Sequence, residues 1–213
     1  MREQHWGYRI LRTIVLALSS LLFRVRVQGR RNVPPRGPYV IAPSHRSAVD
    51  IVFAAYVTKR RIRFMAKKEW WEHKLAARLF EALGTFPVDR DGADRQALKA
   101  ALGALADGEP VAIFPEGTRR SGPVLGELAE GVAYVALKAG VPIVPVGIGG
   151  GEEILPSGVT RPRLHRGAVV VGAPIVVDQV AGTVKRSQMG EVTKELRDRL
   201  QAAFDAAQVL AGN

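Results

Sequence analysis

The order of apolar and polar segments predicts an α/β fold: one domain with a central mixed, largely parallel sheet flanked by helices, preceded by a separate N-terminal helix. Three observations lead there. Short apolar runs, among them Tyr39-Val40-Ile41-Ala42, Val111-Ala112-Ile113-Phe114 and Pro142-Ile143-Val144-Pro145-Val146, read as buried strands. Stretches with helical periodicity alternate with these runs, and no internal repeat or low-complexity linker interrupts the alternation. At 213 residues, the chain has the length of one domain with a sizeable core. Residues 1–23 read as the N-terminal helical segment and 24–213 as the domain.

Composition narrows the class of partner. With 47% hydrophobic and 24% charged residues the chain is an ordinary globular one, which excludes a disordered or fibrous protein. Its 31 Lys and Arg against 20 acids give a net charge of +11, which favours nucleic acid, phosphorylated metabolites or an anionic membrane surface. The absence of cysteine excludes a disulfide framework, a thiolate nucleophile and a Cys-ligated metal. Histidines at 5, 45, 73 and 165 are too scattered to suggest a metal cluster. No RNP-type aromatic motif or metal-finger spacing supports a nucleic-acid module.

Taken in order, the elements are as follows. Ile10 to Phe23 is the most apolar stretch, with Arg9 and Arg12 at its start and Arg24, Arg26, Arg30 and Arg31 after it. At about 14 residues it falls short of the roughly 20 that a spanning helix needs. It is expected to lie in a membrane interface with its arginines at the headgroups, making a peripheral or monotopic protein on the cytoplasmic face. The plainer alternative is a terminal helix packed on its own domain.

Arg24–Gln28 reads as a short strand, 34–38 as a proline turn, and 39–42 as a buried strand running into Ser44-His45-Arg46-Ser47. Ile51–Val57 reads as a helix, with Ser47 and Asp50 spaced as a capping box. A strand over 63–66, a helix over 69–83 and a turn with a short strand over 84–90 follow. Helices are expected over 93–105 and 125–139. The strand over 142–147 has two prolines that suit an edge or strand ends. Gly149-Gly150-Gly151 reads as a flexible loop, 168–171 and 175–177 as short strands, and 189–209 as an amphipathic closing helix.

The polar clusters fall where strands end, the place where open α/β sheets bind ligands. His45 and Asp50 supply an imidazole and a carboxylate, the base half of a serine-protease triad without its nucleophile. The missing nucleophile could be a substrate hydroxyl. A capped turn explains the same spacing. Glu116-Gly117-Thr118-Arg119, after a buried strand, has the form of an anion site, since freed backbone N–H groups, a hydroxyl and a guanidinium all suit phosphate. Arg90 and Lys67 are cations that could join it.

Four motifs in order over residues 40–147 resemble the glycerophospholipid acyltransferases, the 1-acyl-glycerol-3-phosphate acyltransferases and their relatives. They are Ser44-His45-Arg46-Ser47-x-x-Asp50, Gly84-x-Phe86-Pro87-Val88-Asp89-Arg90, Phe114-Pro115-Glu116-Gly117-Thr118-Arg119, and Val141-Pro142-Ile143-Val144-Pro145-Val146. The resemblance implies acyl transfer from acyl-CoA or an acyl carrier protein thioester to a lysophospholipid hydroxyl at a membrane surface, without a cofactor or metal. It makes His45 the general base and Asp50 its orienting partner. Glu116, Gly117, Thr118 and Arg119 would hold the acceptor phosphate, with Arg90 and Lys67 assisting.

Overall fold

The computed structural model of the chain describes residues 4–67, 85–88 and 94–213. In chain order the elements are α1 (Gln4–Phe23), β1 (Arg26–Gln28), a short 3-10 turn (Arg30–Asn32), β2 (Val40–Pro43), α2 (Asp50–Ala54), β3 (Arg63–Lys67) and β4 (Phe86–Val88). There follow α3 (Asp94–Ala106), β5 (Val111–Ala112), α4 (Gly131–Ala139), β6 (Ile143–Gly149), α5 (Gly151–Ile154), β7 (Ala168–Val171) and α6 (Arg186–Ala211). The strands make one seven-stranded sheet in the order β1-β7-β6-β2-β5-β3-β4. All its ladders are parallel except the β6–β7 pair. The helix expected over 69–83, with Trp70, Trp71 and Phe80, lies outside the described residues.

Every residue of β2 and β6 is buried, as expected of strands covered on both faces. Their side chains alternate between two apolar layers. Val40 and Ala42 pack with Leu105, Val135, Leu200 and Phe204 from α3, α4 and α6. Ile41, Val144 and Val146 pack on the opposite face with Phe53 of α2 and Phe23 of α1. The long helix α6 lies directly on β6, and glycine makes that possible. A Cβ at Gly147 would lie 2.0 Å from the Ala203 carbonyl oxygen, so only a strand without a side chain there admits the helix backbone.

Four local expectations are revised. Pro145 lies in an interior strand, not at an edge or strand end: its carbonyl accepts from Gly172, and the ladder to β7 begins only at Val146. The missing N–H therefore falls where residues 172–174 leave the sheet. Gly149 to Gly151 is no loose loop but a buried junction in which β6 turns through Gly150 (φ 77) straight into α5. Of the strand expected over 175–177, only an Ile143–Ile175 bridge forms. Helix α4 starts at Gly131 rather than Leu125, because the preceding backbone is engaged elsewhere. Leu125 N–H donates to Gln201 Oε1 and Gly126 N–H to Glu116 Oε2, while Arg197 takes both carbonyls.

Helix α1 is both packed on the domain and exposed. On its inner face Arg12 donates to the carbonyls of Ala55 (2.7 Å) and Thr58 (2.6 Å), and Ser19 meets the Tyr56 hydroxyl at 2.7 Å. The Phe23 ring packs edge-on to Phe53, centroids 6.1 Å apart. Its outer face carries Trp6, Ile10, Ile14, Leu18, Leu21 and Leu22, each at least half exposed, at the three- and four-residue spacings of one helical stripe. The 18 residues from Trp6 to Phe23 are long and apolar enough to cross a membrane by length and composition, which corrects the shorter length read from Ile10. Docking along the inner face sets the helix against the domain side-on.

Candidate active site

Strand β2 delivers His45 to the carboxyl edge of the sheet. Two bonds to β6 hold the approach: Ser44 N–H donates to the Val146 carbonyl, and Ser44 Oγ accepts from Ile148 N–H, both at 3.0 Å. Past Ser44 the chain leaves the ladder and the loop after β5 takes over. His45 N–H donates to Glu116 Oε1 at 3.0 Å, and its carbonyl accepts from Arg120 N–H at 3.0 Å. The imidazole packs on Phe114, with ring centroids 4.1 Å apart. Backbone and ring are therefore both fixed by the Phe114–Arg120 segment.

Nδ1 of His45 lies 3.1 Å from Oδ2 of Asp50. The same oxygen accepts the N–H groups of Arg46 and Ser47, each at 2.6 Å. With the carboxylate ionised, the imidazole proton is assigned to Nδ1, which leaves the Nε2 lone pair for a substrate proton. Complete burial pushes the Asp50 carboxyl above its ordinary range; the hydrogen bond and charge of His45 and the two N–H groups pull the other way without cancelling it.

The capping box forms only by half. Asp50 reaches back to Ser47 N–H as such a box requires, but it is the first helical residue, and Ser47 Oγ donates to the Leu155 carbonyl at 2.7 Å. Capping and dyad geometry thus coexist in one carboxylate. The remaining oxygen, Oδ1, is buried without a hydrogen-bond partner, and a Cβ at Gly151 would approach it to 2.4 Å.

Glu116, expected to help hold an acceptor phosphate, is turned inward. It is 4% exposed, and its oxygens meet Arg46 Nη1 at 2.9 and 2.8 Å while also accepting His45 N–H and Gly126 N–H. Arg46 is itself 2% exposed. Its guanidinium donates to the carbonyls of His45, Gly122 and Val124 and stacks over Phe204, 4.7 Å from the ring centroid. One buried ion pair thereby ties the His45 turn to residues 116–126 and to α6. Arg46 was not a candidate from sequence. The available signal was an arginine in the turn out of a buried strand, with an acid just past another such strand.

Beyond Glu116 the chain turns outward at Gly117 (φ 67), and Gly117, Thr118, Arg119 and Arg120 are all exposed. Strands β2, β5, β3 and β4 are parallel neighbours, so their carboxyl ends share one edge with His45 and the exposed loop. Lys67 ends β3 at that edge, its side chain outside the described residues. Arg90, two positions past the end of β4, also lies outside them.

A His–Asp pair at the carboxyl edge of a parallel sheet, beside a glycine-led loop, is the construction of an α/β enzyme domain. The acyltransferase family profile matches residues 24–149, and the chain belongs to that family; it is an O-acyltransferase. A 1-acyl-sn-glycerol-3-phosphate acyltransferase of Bacillus subtilis is 27% identical over 91% of this chain and 95% of its own length. The enzyme of that name from Streptococcus pneumoniae is 31% identical over 62% of this chain, and the human alpha form is 31% identical over 65%. The chain matches half the length of each of those two relatives. The crystal structure of the 1-acyl-sn-glycerophosphate (LPA) acyltransferase from Thermotoga maritima has the same fold, with a TM-score of 0.78 over 97% of this chain and 84% of that one, at 22% identity.

Proposed function

We propose that this enzyme moves a fatty acyl group from an acyl thioester, acyl-CoA or acyl carrier protein, to the free hydroxyl of a lysophospholipid at a membrane surface. The exposed basic loop suits a phosphate-bearing acceptor, and the similarity to 1-acyl-sn-glycerol-3-phosphate acyltransferases favours 1-acyl-glycerol-3-phosphate, giving phosphatidic acid. The observation that carries the reading is the 3.1 Å contact between His45 Nδ1 and Asp50 Oδ2, on a turn bonded directly to that loop.

In this mechanism Nε2 of His45 takes the acceptor hydroxyl proton as the oxygen attacks the thioester carbonyl. Asp50 stabilises the imidazolium that forms. Collapse of the tetrahedral intermediate breaks the C–S bond, and the imidazolium returns its proton to the departing thiolate, leaving an ester and a free thiol. No acyl-enzyme is needed, and the two neighbouring serines support that: Ser44 Oγ accepts from Ile148 N–H and Ser47 Oγ donates to Leu155. Gly117, Thr118 and Arg119 hold the acceptor phosphate, with Arg90 and Lys67 adding charge. Glu116 acts through Arg46 and the His45 backbone instead of touching the anion. The apolar stripe of α1 supports attachment to a membrane surface, which in this reading is the cytoplasmic one.

The test is thiol release by purified enzyme given an acyl thioester and a panel of acceptors. The reading predicts that 1-acyl-glycerol-3-phosphate is turned over fastest and that His45→Ala loses at least about a thousandfold in rate. Faster turnover of glycerol 3-phosphate or a glycolipid would keep the chemistry and replace the acceptor. No thiol release with any acceptor would remove both.

A further inference from the structure

The loop between α5 and β7, residues 156–166, has no part in the chemistry above. It reads Pro-Ser-Gly-Val-Thr-Arg-Pro-Arg-Leu-His-Arg and lies in a stretch, 154–177, that contains no Asp or Glu. Arg161, Arg163 and Arg166 are exposed, and among the described residues none has a carboxylate partner. Leu164 stands among them 81% exposed, with Val159 at 38%. A solvated arginine face is common, but a leucine so exposed between arginines is the composition of a lipid-interface segment.

Both ends of the loop are tied to places that matter. At its start the Leu155 carbonyl accepts Ser47 Oγ, beside the His–Asp turn. At its finish Gly167 N–H donates to the carbonyl of Phe23, the last residue of α1, at 2.8 Å. In the middle Arg163 N–H is bonded to the Ile154 carbonyl at 2.7 Å, so the arginines are carried on a fastened loop. Leu21 and Leu22, 77% and 51% exposed, occupy that same end of α1.

We propose that loop 156–166 is a second contact with the lipid surface: Arg161, Arg163 and Arg166 take anionic headgroups while Leu164 enters the interface, continuing the contact made by α1. This rests on the membrane reading of α1. An acidic protein would satisfy the arginines alone; the exposed leucine and the junction with the apolar end of α1 favour lipid. With the active-site turn at one end of the loop and the membrane helix at the other, the contact sets the dyad close to the headgroups from which an acceptor comes.

The experiment is sedimentation of the full chain with vesicles of phosphatidylcholine alone or mixed with phosphatidylglycerol. The R161Q/R163Q/R166Q variant is expected to bind anionic vesicles on the order of 100-fold more weakly while keeping its binding to neutral ones. The corresponding triple lysine variant retains wild-type binding, because a lipid surface reads charge and not guanidinium geometry. L164S weakens binding to both vesicle types a few-fold. An L18S/L21S variant reports on α1 separately, through a loss on neutral vesicles. Wild-type binding of the triple glutamine variant to anionic vesicles would overturn the loop inference and leave the α1 reading standing. Unchanged binding of L18S/L21S would overturn the α1 reading instead. Loss of activity with acyl carrier protein but not with acyl-CoA, at wild-type vesicle binding, would assign the loop to an acidic protein and overturn the lipid contact.

Discussion

Asp50 Oδ2 accepts the N–H groups of Arg46 and Ser47 and faces His45 Nδ1, while Oδ1 makes no hydrogen bond. Burial raises this carboxyl, so the folded chain holds the proton to higher pH than the unfolded chain does. Stability then falls as pH rises from the ordinary carboxyl range through the folded value, and the cost of ionisation is fully present above it. Asp50→Asn removes that cost and keeps an oxygen for the two N–H donors. It should therefore melt no lower than the wild type at pH 7, with the difference closing as pH falls toward about 4. Its acyl transfer should nevertheless drop roughly a thousandfold or more, because the amide does not hold the base in its tautomer. Paired melting curves and rate measurements check this; a lower melting point at neutral pH would mean that the carboxylate serves the turn more than the dyad. Glu116→Gln tests the other buried acid. It leaves Arg46 without its counter-charge and should cost about 3 kcal/mol in urea unfolding. Thr118→Ala, on the exposed part of the same loop, should change stability by less than about 0.5 kcal/mol and raise the acceptor KM.

At the scale of the elements, β2 and β6 were legible as apolar runs because their side chains are buried on both faces. The dyad's spacing was legible too, since a separation of five positions from His45 to Asp50 is a local fact. What sequence hid depends on distant partners. Leu125–Glu130 has helical character, yet its backbone is drawn off by Glu116, Gln201 and Arg197. Glu116 read as part of an anion site because nothing local announces that Arg46, seventy positions away, turns it inward. Gly149, Gly150 and Gly151 read as a flexible loop but form a buried junction, and nothing local announces that Gly147, inside β6, is there to admit the backbone of α6. Gly147→Ala should destabilise by about 2 kcal/mol or more, because α6 must lift off β6 to admit the methyl group. Chemical denaturation measures it, and a neutral result would mean that this contact adjusts freely.

For the whole molecule, a net charge of +11 and the apolar stripe along α1 suit the proposed seat on an anionic surface, with the proposed chemistry at the sheet's carboxyl edge. Ile14→Ser with Leu18→Ser should lower vesicle sedimentation at least about tenfold without lowering the melting point, since both side chains are more than half exposed. In the proposed mechanism the acceptor hydroxyl, freed of its proton by His45, attacks the thioester directly. Rapid mixing of the enzyme with acyl-CoA alone, followed by thiol detection and intact mass, tests it most directly. Direct attack gives no burst and no change in mass, with turnover beginning only when lysophosphatidic acid is added. A burst of one thiol per enzyme, or an acyl adduct on the chain, would contradict it.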